Sequence, residues 1–211
     1  MVLTSKTSLY TEATKKSLEN AEQWIKDAKL LLDNSSFGHA SALLRFACEE
    51  LAKAYLCWLS SERIFPIENK VVRDAFKYHE TKNQVIIGMI FTLLWRSQGH
   101  YLTQTEPSDQ EIIEAYNQLK AMIVSTEKMR QKAIYVDVIW DKNHVQTPLT
   151  ITKKQAKGIL EWTEVILKVV RQCIEEWSES LKEKFRQAFD KYPKEVWETG
   201  RIPIKWLKEK E

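Results

Sequence analysis

The chain has 211 residues, 32 of them basic and 29 acidic, for a net charge of +3. That length suffices for one well-buried core but would make two full domains small, and the near balance of charge lacks the electrostatic footprint of a dedicated duplex-DNA binder. Three cysteines, Cys48, Cys57 and Cys173, are odd in number and lie inside apolar helical patterns, which suits reduced thiols in a cytoplasmic protein better than a disulfide framework.

The opening residues Met1 to Lys6 lack a charged segment followed by an apolar run, so no export signal is expected. No stretch approaches the roughly eighteen uncharged apolar residues of a membrane span. Glycine and proline number five each and fall mostly at a few breaks, leaving long segments to test for helical period. In the first, Leu18, Ala21, Ile25, Ala28 and Leu32 form one apolar stripe, ended by Asn34-Ser35-Ser36. The second runs from about Phe37 to Leu59, with Ala40, Leu44, Ala47, Leu51, Ala54 and Trp58 as its stripe, and is apolar over most of its circumference. Pro66 stops any continuation. The third carries Val72, Phe76, His79, Asn83, Ile86 and Ile90 on one face, with Gly99 as its expected end.

A capping box at Ser108 and Glu111 opens a fourth helix, followed by Ile112, Tyr116, Leu119 and Ile123 as a stripe. Tyr135 to Trp140 alternates like an extended chain, which predicts one short strand or clamp. A second box, Thr152 with Gln155, opens a fifth helix carrying Ile159, Ile166, Val170, Cys173, Trp177 and Leu181 towards Tyr192-Pro193. The reading is an all-α bundle of about five main helices with one short extended segment. Residues 1–192 form the helical domain, and 193–211 form a tail whose Trp197, Trp206 and Leu207 must pack on the bundle or on a partner. Apolar residues beyond one bundle's needs point to a homodimer.

The strong motifs of kinases, serine hydrolases and zinc peptidases do not occur. None of His39, His79, His100 and His144 follows a glutamate at three residues, which removes a ferritin-like di-iron bundle. Three polar clusters remain. In Glu49-Glu50-Leu51-Ala52-Lys53, Glu50 lies at the edge of the apolar stripe and needs a cationic or donor partner, while Glu49 is expected on the polar side, where an ordinary surface pair with Lys53 would account for it. In the second, His79 falls on the buried stripe with Lys82 one turn later, and Asn83 extends the interruption. A lone core histidine, satisfied by its neighbours, is the plain alternative. In the third, a helix end at Arg130, Gln131 and Lys132 hands over to an extended segment in which Tyr135 and Asp137 share a face; a favourable basic helix terminus explains it equally well.

Taken in order, Ala47-Cys48-Glu49-Glu50-Leu51-Ala52-Lys53, Phe76-Lys77-Tyr78-His79-Glu80-Thr81-Lys82 and Arg130 through Tyr135-Val136-Asp137, with Pro148 and Thr152 to Ala156, resemble the AbiV family of phage abortive-infection proteins. The likeness spans roughly residues 18 to 170. It implies a HEPN-superfamily bundle, usually dimeric, of the kind that often acts as a metal-independent ribonuclease. The superfamily signature of arginine, four to six residues and histidine has Tyr135, not histidine, in its place after Arg130. Arg73 and His79 meet the spacing, yet on one continuous helix they would point about 120° apart.

Two functions follow. One is a ribonuclease without cofactor: His79 as general acid or base for attack by a ribose 2′-hydroxyl, Arg130 and Lys82 on the phosphate, Glu50 orienting them, and Lys53, Tyr135 and Asp137 on the substrate side. The other is a non-catalytic module of the same fold that binds a phage or host protein, its polar cluster fixing helix register. A metal site built from Glu50, His79 and Asp137 is a lesser third.

Overall fold

The computed structural model describes residues 2–64, 69–78, 81–82, 85–86, 114, 117, 121, 131–180, 182–183 and 187, and it is an all-α bundle with one small hairpin. Helix α1 (Val2–Asp33) buries Ala21, Ile25 and Ala28 at steps of four and three, the predicted stripe. Its end is a Schellman motif: Ser36 donates its backbone N–H to the Leu31 carbonyl at 2.8 Å, Ser35 to that of Leu32 at 3.0 Å, and Ser35 takes the left-handed conformation at φ 60°. The two carbonyls would otherwise be left open. Three residues then connect to α2 (Phe37–Ser61), and so short a link forces the two helices to run antiparallel side by side.

Helix α2 is the centre of the fold. Seventeen of its 25 residues are buried, as expected of a helix apolar nearly all round. Ala21 of α1, Leu51, Tyr55 and Trp58 of α2, and Ile166, Val170 and Cys173 of the last helix share one core cluster. Near the start of α2, Gly38 is pressed against Pro148: a Cβ at that position would lie 2.3 Å from the Pro148 carbonyl oxygen, so only glycine fits.

Helix α3 spans Asn69–Lys77, burying Val72 and Ala75. The regular helix stops before Tyr78, although the Lys82 N–H still reaches the Tyr78 carbonyl and Thr81, Lys82, Val85 and Ile86 are helical. The third segment is therefore not one unbroken helix. Of the predicted fourth helix, Glu114, Asn117 and Ala121 are helical, and its capping box, like Gly99 and the tail from 193, lies outside the described residues.

The extended segment is a hairpin rather than a lone strand. Strand β1 (Asp137–Ile139) pairs antiparallel with β2 (His144–Gln146), Val138 opposite Val145, through a tight turn in which Asn143 takes φ 45°. Helix α4 (Lys153–Glu176) starts at the predicted capping box: the Thr152 hydroxyl accepts from the Gln155 N–H, and the Gln155 side chain accepts from the Thr152 N–H at 3.0 Å. It ends earlier than its apolar period suggests. Trp177 turns to extended backbone, and its buried ring meets Trp58 edge-on, 5.0 Å between centroids. The Ser178 carbonyl accepts from Lys182, beginning a new turn of helix.

All three cysteines are free and buried. No helix among the described residues is long and apolar enough to cross a membrane.

Candidate functional site

Only four residues of α2 carry an ordinary charge: Arg45, Glu49, Glu50 and Lys53. At about 100° per residue, the first, second and fourth fall within roughly 80° of one another, a charged row down one side of an otherwise apolar rod. Because the rod is buried on almost every side, part of that row is buried as well. Glu49 is 3 % exposed and Arg45 is 6 % exposed.

The partner of Glu49 comes from the second polar cluster. Lys82, also buried, donates from Nζ to Glu49 Oε2 at 3.1 Å, so residues 33 apart in sequence form an ion pair shielded from water. In such surroundings the pair is worth keeping whole, since a single buried charge left behind costs several times what an exposed one does. Beside it, Lys53 donates to Glu50 Oε1, and its ammonium lies 5.1 Å from the centre of the Phe76 ring on α3. The Glu49–Lys82 pair and the Lys53–Phe76 contact tie the α2 cluster to the segment around residues 76–82.

The charges act on their neighbour Cys48. Burial pushes its thiol up, and Glu49 adds to that, while the Thr163 hydroxyl, 3.5 Å from Sγ, and the Arg45 guanidinium pull the other way. The thiol therefore stays protonated and unreactive at neutral pH. Thr163 also donates to the Ile159 carbonyl at 2.8 Å and is wholly buried, so α4 closes the opposite side of the row.

These placements correct one expectation. Glu49 does not face the polar side and does not pair with Lys53; it is the buried member, and Glu50 is the half-buried one that takes Lys53. The apolar stripe through Ala47, Leu51 and Ala54 puts Glu49 on the polar side, although a helix apolar over most of its circumference has little polar side to offer. Burial of a second side was the missing step. Arg45 was overlooked for the same reason, although its position four residues before Glu49 in a helix with so few charges is a readable signal.

Of the other expected site residues, Tyr135 is described and largely exposed, just after the helical turn Gln131 to Ile134. Ala133 anchors that turn, buried with Ala42, Ile151 and Ala156 about two turns up α2 from Glu49. Asp137 is placed only by its backbone, opposite Gln146 in the hairpin. His79 and Arg130 lie outside the described residues, and so does the expected meeting of His79 with Glu50. Among the described residues no three His, Cys, Asp or Glu side chains converge as metal ligands.

A family model described as AbiV, of the HEPN group, matches residues 9–168, a span that includes most of α1, all of α2 and α3, the hairpin and most of α4. Neither the curated proteins nor the solved structures contain a match.

Proposed function

The chain belongs to the AbiV family of abortive-infection proteins, and on that premise we propose that it is a phage-defence effector that cleaves RNA without a metal, working inside the cell as a homodimer. The observation that carries this reading is the Glu49–Lys82 pair: it draws together two of the polar clusters on which the family likeness rests. In the reaction His79 accepts the proton of a ribose 2′-hydroxyl as that oxygen attacks the adjacent phosphorus, and the bond to the 5′-oxygen breaks, that oxygen leaving with a proton taken from water. The products are a 2′,3′-cyclic phosphate and a 5′-hydroxyl end. Arg130 stabilises the negative charge that develops on the phosphate, and exposed Tyr135 offers a ring for a base. Lys82, buried and already paired, serves as an anchor for the segment bearing His79 and not as a phosphate ligand. Glu50 and Lys53 brace the same junction from α2.

The burial that supports an anchoring role for Lys82 also favours a second reading. A network in which Glu49, Glu50, Lys53 and Lys82 all find partners within the chain is what a non-catalytic module needs to fix its helix register before binding a phage or host protein. One variant separates the two. For the nuclease, His79→Ala retains the helical circular dichroism signal and loses both RNA cleavage and toxicity in cells. A folded His79→Ala protein that is as toxic as the parent removes His79 from the mechanism and leaves the binding module.

A further inference from the structure

Next to the charged row, which it adjoins at Phe76, the N-terminal part of α1, Cys57 near the end of α2 and one side of α3 line a cleft of about 540 Å³. Its apolar wall is formed by Leu9, Ala13, Val72 and Phe76, and two cations, Arg73 and Lys77, stand at its rim. That volume lies within the range of small-molecule sites, roughly 300–1,000 Å³, and the mix of an apolar wall with a few polar groups is typical of them.

The cations are the informative part. Arg73 and Lys77 are four residues apart on one face of α3, where like charges repel, and neither has a carboxylate partner among the described residues. Among the other described cations, Lys29, Lys53, Lys82, Arg171 and Lys182 each hold a glutamate, whereas surface ones such as Lys153, Lys157 and Lys168 hold none; what distinguishes Arg73 and Lys77 is that both border one apolar cleft. Leu9 and Phe76 leave about half their surface in water at the same mouth, 60 % and 45 %. Tyr10, also in the lining, keeps its hydroxyl proton beyond the usual range because of burial and the nearby Cys57, with Arg73 opposing, and so remains a donor.

We propose that this cleft binds a small amphipathic anion, its apolar body against Leu9, Ala13, Val72 and Phe76 and its carboxylate or phosphate head between Arg73 and Lys77. An anion there offsets the repulsion between the two cations, and its body covers apolar surface that water now touches. Since α3 leads into the Lys82 anchor, a bound molecule also steadies the segment that carries the second polar cluster. The proposal stands independently of whether the protein cleaves RNA.

The test uses the full chain and three probes of one tail length: decanoate, decanol and decyltrimethylammonium, each titrated against bound anilinonaphthalene sulfonate. Decanoate should displace the dye saturably at one site per chain and raise the melting temperature. Decanol should bind roughly tenfold more weakly, from loss of the charge-assisted contacts, and the cation should not compete. The double variant Arg73→Gln/Lys77→Gln, both at exposed positions, should bring decanoate down to the affinity of decanol, while Ala13→Trp, which fills the cleft, should remove both. Decyl phosphate assigns the head: tighter binding than decanoate means a phosphate ligand and weaker binding a carboxylate one. Equal displacement by all three probes, no displacement by decanoate, or indifference to the Arg73→Gln/Lys77→Gln change would each overturn the proposal, whether or not Ala13→Trp folds.

Discussion

The seam between α1 and α4 and the junction between α2 and Lys82 are both held by ion pairs, of opposite character. On the seam, Lys29 meets Glu164 at 2.7 Å and Arg171 meets Glu22 at 2.6 Å, all four side chains a third to a half exposed. At the junction, Glu49 and Lys82 are farther apart, at 3.1 Å, but only 5 % and 10 % of their side chains reach water. Distance alone would rank the surface pairs as the stronger. Burial reverses the order: exposed pairs contribute about 0.2–1 kcal/mol and are screened by salt, whereas removing one member of a buried pair costs about 3–5 kcal/mol. The seam is tolerant of change and the junction dictates how its parts fit.

The sharpest way to break this contrast is Glu49→Ala, which strands the Lys82 ammonium in the interior. Urea unfolding should show a loss of about 3–5 kcal/mol, most of it recovered in Glu49→Leu/Lys82→Met, where both charges are gone. A loss below about 1 kcal/mol for the single change would place the pair with the surface ones.

Alkaline pH should come next. Burial pushes the Cys57 thiol from its ordinary 9.0 up to about 12, Lys53 opposing only in part. The folded state thus holds this proton more tightly than the unfolded one. Its stabilising contribution is fully present below pH 9.0 and is lost as pH rises towards about 12. The slope is roughly 1 kcal/mol per pH unit, and the upward shifts of Cys48 and Tyr10 act in the same direction. Between about pH 8.5 and about pH 10.5 the urea midpoint of the parent should fall more than that of Cys57→Ala.

Gly38→Ala puts a methyl group against the Pro148 carbonyl and should cost about 1–3 kcal/mol in the same measurement, by overpacking and not by loss of charge. The smallest effect belongs to the seam. Lys29→Ala or Arg171→Ala should change stability by no more than about 1 kcal/mol, and less in high salt; a larger loss would mean that these pairs act as a network with the core beneath them.

What could be read from sequence divides along the same line between local and distant causes. The start of α2 at Phe37 and the Thr152–Gln155 box are set by residues within a turn of each other, and both stand where the pattern puts them. The end of α4 was not readable because the apolar period runs on through Trp177, and what stops the helix there is accompanied by a ring contact with Trp58, more than a hundred residues away. The second strand was missed because Val145 has no alternating company, although Asn143, a residue type that accepts left-handed backbone, marked the turn. At the site, the cluster Glu49 to Lys53 was legible as a break in pattern. Which of its two glutamates is buried depends on a second packing partner, and a single helical stripe does not reveal one.

The central position of α2 also bears on how the chain is made. Once residue 61 has left the ribosome, α1 and α2 can already close into their hairpin through the Schellman turn at Ser35, a local and rapid step. The side of α2 that carries Cys48 and Trp58 must wait for Thr163 and Trp177, which are synthesised on the order of a hundred residues later, or about ten seconds at bacterial elongation rates. Throughout that interval the nascent hairpin exposes a broad apolar surface of the kind that makes incomplete chains prone to aggregate, whereas Glu49 waits only for Lys82, 33 residues on.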